Sequence, residues 1–138
     1  MPITYKIDDD KSVIRTKAVG HVALQEVIDH FRTLERDSQR PERTDVFLDL
    51  SEVESLPSTS EISTVADELK GMHDKVRFNT CAILVSRDAL FGMMRMFEML
   101  AESSFRVTRT FRTATQAEAW LTSQQSLAEH KLADENQS

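Results

Sequence analysis

One cysteine, three glycines and three prolines are all that the 138 residues contain of these types. A lone Cys81 closes no internal disulfide, and with four scattered histidines it builds no cysteine-based zinc site. Glycine occurs only at positions 20, 71 and 92, so there is no Gly-rich loop to cradle a phosphate. Long apolar runs are missing as well. Residues 81–85 and 89–94, the latter with Gly92 inside it, are the longest, far short of the roughly 20 residues a helix needs to cross a bilayer. No integral membrane segment is expected. The opening Met-Pro-Ile-Thr-Tyr-Lys lacks the basic-then-apolar layout of a signal peptide, so the expected location is cytoplasmic. Positive charge is not in excess either: the formal charge is −6 and the pI near 5.2. That balance leaves no concentrated cationic surface for nucleic acid.

With 40% hydrophobic and 29% charged residues, the chain has the composition of one folded, water-soluble domain. The domain is expected over residues 1–128, followed by a polar, frayed tail over 129–138. Residues 3–7 and 13–19 are β-branched runs on either side of Asp8-Asp9-Asp10-Lys11 and predict an antiparallel hairpin. Leu24, Val27, Ile28, Phe31 and Leu34 then share an arc of about 120°, an ordinary one-sided helix. Residues 35–45 are charged and contain Pro41, and read as a solvated connector. The apolar runs 46–50 and 81–85 suit interior strands of a parallel sheet. Between them Ser58-Thr59-Ser60-Glu61 has the form of a capping box, followed by Ile62, Val65, Ala66, Leu69, Met72 and Val76 on one helical arc. A third helix is expected over 89–101, a fifth strand over 105–111 with Phe105, Val107 and Phe111 on one side, and a last helix from Ala114 to about Ala128. The order β-β-α-β-α-β-α-β-α predicts an α/β fold: a mixed five-stranded sheet with an N-terminal antiparallel hairpin, then parallel strands, and four helices lying largely on one face.

This alternation, with Asp49-Leu50-Ser51-x-Val53, the segment from Phe91 through Phe97, and the closing Phe111-Arg112-Thr113 and Ala117-x-Ala119-Trp120-Leu121, resembles the STAS/SpoIIAA-like family of small bacterial domains over about residues 3–122. The resemblance implies a SpoIIAA-like fold, related in architecture to the lipid-binding CRAL-TRIO domains, and a binding or regulatory role without catalysis or cofactor. In the anti-sigma-factor antagonist branch a phosphorylatable hydroxyl opens the second helix. On that alignment Thr59 takes the acceptor position, beside Ser58, although the acid and glycine of the family's Asp-Ser-Ser-Gly setting are replaced by Pro57 and Ser60.

Each remaining chemical candidate has a plain structural alternative. Ser58 and Thr59 can cap a helix. His73 falls within the second helix's apolar arc, where nearby carbonyls can satisfy it, and His21, His30 and His130 fall in a turn, at the edge of a helix face and in the tail. Asp8, Asp9 and Asp10 read as a solvated turn, since a hard cation needs 6 to 8 converging oxygens. Asp49 stands where α/β ligand sites gather, yet can equally accept from Ser51. Arg15, Lys17, Arg106, Arg109 and Arg112 form a cationic stripe only if they share a face.

The third helix stands apart. From Ala89 to Ala101 only Gly92, Arg95 and Glu98 are not apolar, and the arc widens to about 220°. Met93, Met94, Met96 and Met99 add adaptable surface of the kind binding sites use. Phe91, Met94, Arg95 and Met99 are therefore the expected contact residues, with Arg95 able to lie over the Phe91 ring. The alternative is a helix covered within the fold, by the last helix for instance. Two functions compete: a binding module acting through a protein partner or its own copy as a homodimer, and a carrier or sensor of a small apolar, lipid-like ligand held between the third helix and the sheet.

Overall fold

A computed structural model describes residues 3–8, 12–39, 43–72 and 77–137, with backbone alone for residue 77 and residues 128–137. Among them the chain forms β1 (Ile3–Asp8), β2 (Val13–Gly20), α1 (Leu24–Arg36), β3 (Arg43–Val53), α2 (Thr59–Gly71), β4 (Arg77–Leu84), α3 (Asp88–Leu100), β5 (Phe105–Phe111) and α4 (Ala114–Gln137). The five strands lie in chain order, β1-β2-β3-β4-β5. β1 runs antiparallel to β2, with Ile3 opposite Ala18 and Asp8 opposite Val13. Every later pair is parallel. The apolar strands β3 and β4 are interior, as expected.

Parallel neighbours in chain order require crossovers of one hand, and that hand places the crossover helices on one side. Phe31 and Leu34 of α1, Ile62 and Leu69 of α2, and Leu90 and Phe97 of α3 accordingly share one core with Ile14, Val46 and Ile83 of the sheet. No strand follows α4, so it is not bound by that constraint. It folds over the opposite face, where Ala117 and Leu121 meet Val13, Phe47, Ala82 and Leu84. Thus α4 does not cover α3. Instead α3 packs against both α2 and β5, and two neighbours at an angle call for a wide apolar arc.

Three expectations need correction. The charged run 35–45 is not all connector: β3 already begins at Arg43, and Thr44 and Asp45 are buried. Asp45 is tolerated because Oδ1 accepts from Asn79 Nδ2 (2.8 Å), Thr80 N–H (3.2 Å) and Thr80 Oγ1 (2.6 Å), while Oδ2 accepts from Gln125 Nε2 (3.3 Å). The β3–β4 register shifts here, between Thr44 and Val46. Strict alternation also fails along β5: Phe105 packs with Phe78 in the larger core, whereas Phe111 packs on Trp120 of α4. Finally, α4 stays helical through Gln137, since Glu, Lys, Ala and Leu are good helix formers even without an apolar stripe. Asp9, Asp10, Pro41, His73 and Val76 lie outside the described residues.

α2 starts as its sequence predicts. Ser58 Oγ accepts from Glu61 N–H (3.2 Å), and Glu61 Oε1 accepts from Ser58 N–H (3.0 Å). Removing the first of these bonds by Ser58→Ala should lower the unfolding free energy by about 1 kcal/mol, measured by urea titration.

Candidate functional site

A cavity of about 350 Å³ lies between the helices and the sheet. Its floor follows from strand alternation, which turns Thr16 and Ala18 of β2 and Leu48 and Leu50 of β3 toward the helices. Helical spacing supplies the roof: Leu24, Val27, His30 and Phe31 from α1, and Ile62 and Val65 from α2. Leu90, Met94 and Phe97 of α3 complete the wall. The exposed lining residues, His21, Ala23 and Leu56, gather at the carboxyl ends of β2 and β3, where parallel α/β sheets place their ligand sites. That end is the mouth.

The mouth is braced. Gly20, at φ +74°, turns the chain out of β2 in a conformation unfavourable for other residues, and its carbonyl accepts from Glu54 N–H at 2.8 Å. Ser55 Oγ accepts from Val22 N–H (3.0 Å), joining the loops that precede α1 and α2. Arg87 Nη1 donates to the Glu54 carbonyl at 2.8 Å, with the Val53 and Ser55 carbonyls at 3.4 Å.

The opposite end holds the polar pair of the wall. His30, only 8% exposed, sets Nε2 3.0 Å from Thr16 Oγ1. Its ring lies edge-on to Tyr5 at 5.7 Å and tilted on Phe31 at 5.4 Å. Tyr5 is anchored in turn, its hydroxyl donating to Asp37 Oδ2 at 2.6 Å, which raises the phenol pKa. Burial of the imidazole lowers its pKa from 6.5 to about 4, so near neutral pH the ring carries one N–H and one bare nitrogen. Helical spacing alone put His30 at the edge of the α1 face. Its burial depends on Tyr5 from the edge strand, and the available signal was Thr16, a hydroxyl at an inward position between Ile14 and Ala18.

The expected contact residues do not form one patch. Met94 is 8% exposed and faces the cavity, Phe91 is half-buried against the larger core, and Arg95 and Met99 are exposed, Met99 at 75%. Arg95 does not lie over Phe91; its Nε is 3.7 Å from Glu98 Oε2, and the cation–π contacts among the described residues are Arg15 on Phe47 and Arg109 on Phe111. Ser58 caps α2, and Thr59 is exposed in its first turn. Asp49 Oδ1 accepts from Ser51 N–H (2.9 Å) and Oγ (2.6 Å), the local role, with Ser51 still inside β3 and not in a following loop.

Nor do the cations make an open stripe: Arg15 bonds Glu118 at 2.5 Å and Asp8 at 3.3 Å, Lys17 pairs with Glu52, Arg106 bonds Asn79 and Gln124, and Arg112 bonds Asp88. Cys81 is buried, which pushes its thiol pKa up and leaves it unreactive. His130 has no described side chain. No cluster of three or more His, Cys, Asp or Glu able to hold a metal occurs among the described residues, and no helix among them is long and apolar enough to cross a membrane.

The His30 environment has a pH signature. The unfolded chain binds the imidazole proton more tightly than the fold does between pH 6.5 and about 4. The stability contributed by neutral His30 is therefore complete above 6.5 and falls as pH falls through that window. Between pH 8 and pH 5 the wild type should lose about 2 kcal/mol more than His30→Gln in urea unfolding. Equal losses would mean that the imidazole protonates freely in the fold.

Against known proteins, no family model matches the chain and no curated protein matches it. Among solved structures it is similar to the crystal structure of an uncharacterized protein of the DUF3478 family, with a SpoIIAA-like fold, from Shewanella loihica PV-4. The two share 19% sequence identity with a TM-score of 0.59 over 86% of this chain and 93% of that one. The mixed sheet with its N-terminal hairpin and four helices is thus a SpoIIAA-like fold.

Proposed function

We propose that the chain is a cytoplasmic, non-catalytic binding module of STAS-like type that holds one small apolar molecule in this cavity, as a carrier or sensor. The cavity itself carries the reading: about 350 Å³ is at the lower end of the roughly 300–1,000 Å³ of ligand pockets, enough for a single small ligand. Its walls are apolar side chains with a few polar groups, the composition such pockets use to hold a ligand and fix its orientation. Its place at the carboxyl ends of parallel strands supports the same reading. A second reading, self-association along α3, rests on Met99 at 75% exposure beside Arg95; the inward turn of Met94 and the partial burial of Phe91 reduce the surface available to it.

Native mass spectrometry of protein isolated from its own host should find a monomer carrying a small apolar adduct; an adduct-free dimer would favour self-association. In vitro, the uncharged fluorophore N-phenyl-1-naphthylamine should bind saturably at one site. Val65→Trp, which fills the cavity from α2, should keep a cooperative thermal transition and abolish that binding. Absence of saturable binding to the folded wild type would contradict the proposal.

A further inference from the structure

The cavity's polar groups are arranged to discriminate by charge. Thr16 and His30 stand at the closed end, away from the exposed residues of the mouth. The Thr16 hydroxyl has one donor and two acceptor sites, and its contact with His30 uses one of them. On His30 that contact occupies Nε2, and Nδ1 is the ring's remaining hydrogen-bonding atom. The pair can therefore pass a hydrogen bond to a ligand without losing the bond it already has. The ring is neutral near pH 7, since burial opposes its protonation. Among the described residues no Lys or Arg lines the cavity; its titratable groups are His21, His30 and Glu61.

A carboxylate or phosphate at the closed end would be buried without a cation, which is strongly disfavoured. At the water-exposed mouth an anion would keep its hydration but, among the described residues, would meet no cation of the lining. Glu61 already occupies the positive N-terminus of α2, accepting from Ser58 N–H at 3.0 Å, and its charge repels a second anion. Arg87 reaches the same loop, but its Nη1 is engaged by the carbonyls of Val53, Glu54 and Ser55.

We infer that the ligand is uncharged: an apolar chain or ring bearing a hydroxyl or carbonyl that meets Thr16 and His30 at the closed end of the cavity. This inference rests on the cavity being a ligand site. It excludes a carboxylate or phosphate head group at the closed end of the cavity.

Displacement of N-phenyl-1-naphthylamine at pH 8 by 1-octanol, sodium octanoate and octane separates the outcomes. 1-Octanol should displace the fluorophore at least tenfold more effectively than octanoate. In Thr16→Val the 1-octanol affinity should fall by roughly three- to tenfold, with that for octane unchanged. Octanoate competing as well as 1-octanol would overturn the charge inference while leaving the binding module in place. An unchanged 1-octanol affinity in a folded Thr16→Val would overturn the Thr16 and His30 anchor. If the fluorophore itself fails to bind, the binding-module reading fails first. The wild-type alcohol-to-carboxylate ratio decides the charge question even if Thr16→Val does not fold.

Discussion

The shape of this molecule depends on the one-handed crossover between adjacent parallel strands. β2, β3 and β4 must each hand the chain to a helix at the carboxyl end, and those three helices must return over the same face. The exits of β2 and β3 stand side by side, so α1 and α2 start from neighbouring loops at one end of the sheet. At that junction the floor carries Ala18, a small side chain beneath the starts of two helices, and the cavity opens there, running back to Thr16. The loops cannot spread freely, since Gly20, Val22, Ser55 and Arg87 tie them by hydrogen bonds. The site is a consequence of topology made durable by polar bonds at its rim.

On the other face, polar chemistry does a different job. Asp45 is buried with Asn79 and Thr80 where the β3–β4 register shifts, and Gln125 reaches it from α4. Arg106 extends the cluster from Asn79 to Gln124. A buried carboxylate answered by four donor contacts is inexpensive only while all of them stay in place, so the cluster fixes how α4 lies on the sheet. Arg15 of β2, bonded to Glu118, adds a further tie between the sheet and α4. The two faces thus divide the labour: one is latched by hydrogen bonds, and the other keeps an apolar space with a single neutral polar pair at its end.

Much of the architecture was legible because it is written in local pattern. The continuous apolar run in β4 meant an interior strand, and Ser58 followed by Glu61 meant the start of α2. Asp49 bonded to Ser51 follows the same local logic. The site was less accessible. Its volume is what remains after packing, and no residue encodes it directly. Asp45 sat in a charged run, and its partners come 34 and more residues later in the chain. The width of the α3 arc was visible, but its cause was not: a helix that leans on both α2 and β5 needs an apolar surface turned toward each. Met94 therefore belongs to the interior, where a reading of the helix alone assigned it to a contact surface.

The central claim is that the space between α1, α2, α3 and the sheet is where a ligand resides. Intermolecular NOEs between 1-octanol and methyl-labelled protein test it most directly. Cross-peaks from the octyl chain to Ala18, Leu50, Val65 and Met94, all cavity-lining, are the expected result. Cross-peaks confined to the exposed side chains of Met99 and Leu127, with none to the cavity methyls, would contradict it.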